Sequence, residues 1–296
     1  MILLLGGTGF IGRRVAARLV ETGEKVRVAA RGSRKGVLPE TVEEARANVM
    51  TGEGLADAMA GVDKVVHLVA VIVEKGEQSF DAVIRSGTVN VVEEAKKAGV
   101  KKLVYVSAIG AAAGPEYPYW HAKWLAERAV VNSGLTYTII RPSLVFGPDD
   151  DFFNRLADMA RRFPVMPIAG NGKTKFQPIW VEDLVSCVVA CLDEGKCDRQ
   201  VIEVGGPEHL TYDEIVEVIC DALGKRRLRV HVPLWAMRPM AGLFQALLSN
   251  PPVTTQQLDM LSKDNTTEVD AVVKQFGFEP KRLADGLAHL RGRTAP

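Results

Sequence analysis

A chain of 296 residues, 47% hydrophobic and 25% charged, has an ordinary globular profile with room for one large domain or two unequal ones. Its formal net charge of +1 gives no argument for nucleic acid or a strongly acidic partner. Every apolar run falls short of the roughly 18 residues a membrane span needs, and the N-terminal run is too short for a signal peptide, so a cytoplasmic location is expected.

The first dozen residues organise the chain. Ile2 to Leu5 form an apolar run typical of a strand buried on both faces. A glycine cluster follows, then a helix from Arg13 to Thr22 with Val15, Ala16, Leu19 and Val20 on one side. Gly7, Gly9 and Gly12 satisfy G-x-G-x-x-G, while Gly6, Gly9 and Gly12 satisfy G-x-x-G-x-x-G. Gly6 and Gly7 let the chain leave the strand sharply. Gly9 lets a pyrophosphate reach the N–H groups at the positive helix end, and Gly12 lets the helix lie close on the strand. The order strand, glycine turn, helix places a dinucleotide on Gly6, Thr8, Gly9, Phe10, Ile11 and Gly12.

The second strand is expected at Lys25 to Ala30. It is followed by Arg31, Ser33, Arg34 and Lys35, with no carboxylate before Glu40. A carboxylate there would suit the 2′-OH of NAD(H), whereas a guanidinium fork suits the 2′-phosphate of NADP(H). Arg31 and Arg34 therefore favour NADP(H), with NAD(H) the alternative. Glu44 to Val49 reads as the third strand, with Asn48 and Val49 bordering the adenine, and Leu55 to Met59 as a short helix. Asp63 to Ala70 reads as a buried fourth strand whose end, Leu68, Val69 and Ala70, would line the cofactor cleft; His67 within it reads as a satisfied core histidine. A long amphipathic helix from Gln78 to Lys97 is stopped by Gly99. The fifth strand, Lys102 to Ser107, leads through an Ala/Gly/Pro loop to a helix at Tyr119 to Asn132. The sixth, Thr136 to Arg141, is stopped by Pro142. The alternation predicts an α/β fold with a doubly wound, Rossmann-type parallel sheet.

Beyond Phe146–Gly147–Pro148 the pattern loosens into a smaller α/β substrate lobe, giving domains of 1–145 and 146–296 that intertwine. Its expected elements are a helix at Phe152 to Phe163, an extended stretch at Phe176 to Val181, an apolar helix from Val181 to Leu192 and a strand at Val201 to Val204. A capping box, Thr211 with Glu214, opens a helix to Leu223. A last strand at Leu228 to Val232 and a very apolar helix from Leu234 to Leu248 follow, then a polar tail after Pro252 with short helices. That apolar helix reads as a lid or core helix, or else as a contact for a partner or membrane surface. Cys187, Cys191, Cys197 and Cys220 fit no metal-ligand spacing and read as core residues in a reducing compartment.

Tyr119-Trp-His-Ala-Lys123 is the second informative stretch. Tyr119 and Lys123 fall one helical turn apart on one face. A phenol near pKa 10 is a poor base, and an adjacent ammonium is expected to lower it. The same ammonium can hydrogen-bond the nicotinamide ribose.

Together, the Gly6–Gly12 stretch and the Tyr119–Lys123 stretch resemble the short-chain dehydrogenase/reductase superfamily, in its extended or atypical branch. Val66 to Gly76, Val106 to Gly110, Ile140 to Ser143, Phe146 to Pro148, Phe176 to Leu184 and Gly205 to Pro207 are similar to the group containing the NAD(P)H-binding accessory subunit of respiratory complex I and its bacterial relatives. The resemblance implies that Tyr119 is the general acid/base, Lys123 the ribose anchor and Ser107 the substrate-orienting donor, with Val106, Ser107, Tyr119, Lys123 and Pro142 also touching the cofactor. Departures are present. The usual serine position falls where Ala108 and Ile109 stand, Ile84 replaces an asparagine, and Asn48 replaces the acidic residue beside adenine. Two functions follow. One is an NADP-dependent oxidoreductase or epimerase-like enzyme acting on a small polar or sugar-like substrate. The other is a cofactor-stabilised accessory or assembly protein without turnover, tied to a complex I subunit or a quinone-related partner and peripheral to the inner membrane. A sensor of the NADP(H) ratio is a third.

Overall fold

The computed structural model describes residues 1–32, 36–247 and 254–290. The chain divides into two compact units, Met1–Pro142 with Leu184–Glu203, and Ser143–Asp183 with Val204–Pro296. Relative to a boundary at 145/146, the segment 184–203 returns to the first unit and 143–145 joins the second.

The first unit is built on a seven-stranded sheet: β1 (Ile2–Leu5), β2 (Val26–Ala30), β3 (Glu43–Arg46), β4 (Lys64–His67), β5 (Lys102–Val106), β6 (Thr136–Pro142) and β7 (Gln200–Val204). The order across it is β7-β6-β5-β4-β1-β2-β3. The pairs from β3 through to β6 are parallel, with Leu5 opposite both Ala29 and His67, and His67 opposite Tyr105. Chain direction across the sheet switches between β1 and β4. In open α/β sheets that switch leaves a crevice beyond the carboxyl ends of the strands, where ligands bind.

Helix α1 (Gly12–Glu21) buries Gly12, Val15, Ala16 and Leu19, one face of a 3.6-residue period, and turns out of the helix at Thr22 and Gly23. A short α2 (Leu55–Met59) follows β3. The expected helix from Gln78 begins instead with a π-helical turn, Asp81–Ser86, before α3 (Gly87–Lys97). Such turns are rare and cluster at functional sites. Helix α4 (Pro118–Val131) opens on a proline, whose missing N–H would be unpaired there anyway. Its buried face includes two charged residues, Lys123 and Glu127. The core beneath joins Leu3, Leu5, Val65, Leu103 and Ile139 of the sheet to Ile84, Val91, Ala95, Ala126 and Val130 of the helices.

Two strands differ from the sequence expectation. β3 ends at Arg46, because it is a largely exposed edge strand, so Asn48 and Val49 lie in the turn beyond it. β4 ends at His67, leaving Leu68 to Ala70 as a loop. Cys187, Cys191, Cys197 and Cys220 are buried free thiols.

The second unit has its own core of Phe146, Phe153, Leu156, Ile168, Phe176, Ile215, Ile219, Leu258, Leu283 and Leu287. Its helix Tyr212–Ala222 starts on the anticipated capping box, with Glu214 N–H donating to Thr211 Oγ1 at 3.2 Å and Thr211 N–H to Glu214 Oε2 at 2.7 Å. Val165–Ala169 pairs in parallel with Leu228–Val232. Pro164 and Pro167 punctuate the first of these strands and mask its pattern in the sequence. Helix Leu234–Leu247 contains Pro239, buries Met237 and Ala241, and exposes Trp235, Met240 and Leu243. Its expected last residue, Leu248, lies outside the described residues. No described helix is long and apolar enough to cross a membrane.

Candidate functional site

The glycine turn is built as its spacing demands. Gly6 leaves β1 at φ +85°, and the Gly9 N–H donates to Gly6 O at 3.1 Å, closing the turn. Arg13 N–H donates to Gly9 O at 3.1 Å, which starts α1. A Cβ on Gly12 would lie 2.2 Å from Gly6 O and 2.6 Å from Gly7 Cα, so only glycine lets α1 approach β1 this closely. A Cβ on Gly7 would strike Val28 at 2.7 Å. Gly9 is different. It is exposed, and a Cβ there would have Gly6 O at 3.3 Å as its sole neighbour within 4 Å. Its open side is the space a pyrophosphate would take at the helix start, where first-turn N–H groups lack intrahelical acceptors. Thr8, Phe10 and Ile11 are half-buried around it. Arg14 lies over the Phe10 ring at 4.7 Å and donates to Phe10 O at 2.7 Å.

The neighbouring strand ends converge on the same crevice. Leu68 N–H donates to Leu5 O at 2.9 Å, and a Cβ on Gly6 would lie 3.1 Å from Val69 N, so Leu68 and Val69 flank the turn. Ala70 is exposed two residues further on. Arg31 directly follows β2, is exposed, and donates to Gln78 Oε1 at 3.2 Å. Arg34, with Ser33 and Lys35, lies outside the described residues. Asn48 Oδ1 accepts from Met50 N–H at 3.1 Å. Asn90 on α3 donates to the carbonyls of Val49 and Met50 at 2.8 and 3.1 Å, a clamp on this turn that sequence reading missed.

Tyr119 and Lys123 lie one turn apart on α4, and both have perturbed protonation. Tyr119 meets Phe80 edge-on at 5.6 Å, and although its surface is partly exposed, desolvation of the phenol pushes it up to about 12. Lys123 is 2% exposed; its Nζ donates to Val106 O at 2.8 Å and lies 5.1 Å from the Tyr105 ring centre. Desolvation pushes it down to about 7, opposed by the negative charge of Glu127. Burial of the phenol thus opposes the lowering that an adjacent ammonium gives. One Nζ hydrogen of Lys123 goes to a backbone carbonyl, and burial weakens the ammonium itself.

Ser107, at the end of β5, is 4% exposed. Its N–H donates to Ile140 O at 2.7 Å, while its Oγ is buried with no partner among the described residues. A buried hydroxyl without a partner costs about 1–3 kcal/mol, so this one fits a site completed by a ligand. Pro142 is buried at the end of β6, and its carbonyl accepts from Ile109 N–H at 3.0 Å.

Two buried groups near Lys123 were undervalued from sequence. Thr88 Oγ1 donates to Ile84 O at 2.6 Å and faces His67 Nε2 at 3.0 Å, so the hydroxyl proton is used and Nε2 must carry the imidazole proton. His67 Nδ1 has no partner among the described residues, so this core histidine is satisfied at one nitrogen only. Burial, then the Lys123 charge, holds its pKa down to about 3. Glu127, one turn beyond Lys123, is gripped by Arg141 of β6 through Nε at 2.8 Å and Nη2 at 2.6 Å. Its i+4 spacing from Lys123 was the available signal.

These features define a Rossmann-type dinucleotide-binding protein. Residues 6–152 match the family model described as NAD(P)H-binding, and this span is an NAD(P)H-binding domain. The chain is 27% identical over 282 residues, 91% of its length and 70% of the relative's, to the mitochondrial NADH dehydrogenase [ubiquinone] 1 alpha subcomplex subunit 9 of Arabidopsis thaliana. It is 24% identical to the 2-alkyl-3-oxoalkanoate reductase of Stenotrophomonas maltophilia, covering 99% of both chains. Among solved structures, an NADPH-dependent quinone oxidoreductase of Escherichia coli complexed with NADPH shares the fold, with a TM-score of 0.81 at 19% identity over 98% of this chain and 99% of the other.

Proposed function

We propose that the protein is an NADP(H)-dependent oxidoreductase of the extended short-chain dehydrogenase kind, reducing or epimerising a small polar substrate. The observation that carries this reading is the Tyr119–Lys123 pair one turn apart on α4, with Lys123 held against Val106 O and the Oγ of the next residue, Ser107, without a partner among the described residues. Gly6 to Gly12 would cradle the pyrophosphate, Arg31 the 2′-phosphate, and Lys123 the nicotinamide ribose. The nicotinamide supplies hydride exchange when bound. Tyr119 Oη gives or takes the proton at the substrate oxygen. A phenol near 12 is far from ideal for that work, so Lys123 must be charged and close to bring it toward the working pH. Ser107 Oγ donates to the same oxygen and orients it.

The similarity to a mitochondrial complex I subunit favours a second reading, a cofactor-stabilised accessory protein without turnover, cytoplasmic or peripheral to the inner membrane, with a quinone-related partner. One experiment separates the two. Wild type and Tyr119→Phe are compared for NADPH binding and for NADPH oxidation against a panel of small ketones, nucleotide sugars and quinones. Turnover by wild type that vanishes in Tyr119→Phe, with binding retained, supports the enzyme. NADPH that resists exchange and is never oxidised supports the accessory protein.

A further inference from the structure

A lysine 2% exposed needs help to stay charged, and Lys123 has little in its immediate shell. Among the described residues its hydrogen-bond acceptor is the neutral Val106 carbonyl. From β5 it meets the face of Tyr105, whose buried phenol stays neutral. From β4 it faces His67, also neutral, whose protonation would repel it. On its own helix stand Tyr119, neutral, and Glu127. Glu127 is 4% exposed and is held by the two-pronged grip of Arg141, which also reaches Glu203 at 3.4 Å. The result is an alternating row of charges, Lys123, Glu127, Arg141 and Glu203, running from the buried end of the site toward solvent.

We propose that Glu127, fixed by Arg141, is a positioning residue that keeps Lys123 cationic inside the core so that the lysine can hold the cofactor ribose. A buried ammonium is stable only when a counter-charge offsets its desolvation. Glu127 is the group whose charge opposes that desolvation at Lys123. It lies one helical turn away rather than in contact, so it acts by field and leaves the Nζ hydrogens not given to Val106 O for the ribose. Arg141 holds both carboxylate oxygens of Glu127 and so fixes where the side chain points.

The inference rests on Lys123 being the ribose anchor, and the test separates the two claims. NADPH affinity is measured by fluorescence titration from pH 5.5 to 8.5 for wild type, Glu127→Gln and Lys123→Met. The 2′-phosphate titrates in the same range, but equally for every variant, so it cancels in the comparison. In Glu127→Gln the pH above which affinity falls moves down by about one unit, so binding is about tenfold weaker at pH 8 yet matches wild type at pH 5.5. A merely structural role would weaken binding at every pH without moving the midpoint, and an unmoved midpoint overturns the proposal. If Glu127→Gln unsettles Arg141, the double variant Glu127→Gln, Arg141→Gln removes both buried charges and is read by the same midpoint. Lys123→Met distinguishes the failures. Lys123→Met carries the phosphate titration alone, so a profile in it that matches wild type refutes the lysine as ribose anchor, whereas a profile that differs from wild type in Lys123→Met and is unmoved in Glu127→Gln refutes Glu127 alone.

Discussion

Replacing Gly12 and Gly9 by alanine, one at a time, separates the two jobs of the glycine turn. Neither residue has a left-handed backbone, so any effect is steric. At Gly12 the new Cβ would lie 2.2 Å from Gly6 O, 2.6 Å from Gly7 Cα and 2.9 Å from Gly6 C, all backbone atoms that cannot swing aside. Helix α1 must retreat by about 1 Å, opening its contacts through Val15, Ala16 and Leu19; overpacking of this kind costs about 3 kcal/mol. For a domain of this size that lowers Tm by about 6–12 °C. At Gly9 the Cβ meets only Gly6 O at 3.3 Å, so the fold is expected to change by less than about 0.5 kcal/mol. The methyl nevertheless occupies the approach to the helix start, and NADPH affinity falls by at least about tenfold, or about 1.4 kcal/mol. Thermal unfolding of the nucleotide-free protein and fluorescence titration with NADPH read the two effects. A Gly12→Ala protein that melts within about 2 °C of wild type, less than 1 kcal/mol on this scale, refutes the close-approach argument. A Gly9→Ala protein that binds NADPH like wild type refutes the cradle.

Lys123→Met is expected to stabilise the nucleotide-free protein at pH 7 while weakening NADPH binding. The folded-state value of about 7 lies below the ordinary 10.5, so between those pH values the unfolded chain holds more protons and wild-type stability rises with pH. The variant loses that rise, and Tm measured from pH 7 to 10 should show a flatter curve with its largest advantage at the low end. A variant less stable than wild type at pH 7 would show that the lysine is not a buried-charge liability. Arg31→Ala should weaken NADPH binding by about tenfold, the low end for a charge-assisted hydrogen bond at an exposed site, and leave NADH binding unchanged. Equal losses for both nucleotides would remove Arg31 from the 2′-phosphate site.

The Rossmann-type sheet and the dinucleotide turn are legible in the amino-acid order because both are local. Ile2 to Leu5 followed by glycines at fixed spacing is a contiguous signal, and the period of Val15, Ala16 and Leu19 reports the helix directly. The Tyr119–Lys123 pair was legible for the same reason, as i and i+4 on one helix. Boundaries at the edges were less so. β3 stops short because an exposed edge strand carries no clean apolar pattern, and the strand at Val165–Ala169 is hidden by its prolines. The return of residues 184–203 to the first unit has no local mark either, since it depends on which sheet edge Gln200–Val204 joins. The electrostatics of the site emerge with packing. Whether Lys123 is charged depends on its depth and on Glu127, whose carboxylate is gripped by Arg141, 14 residues away on another element. Desolvation and long-range pairing are properties of the packed interior, and no spacing along the chain encodes them.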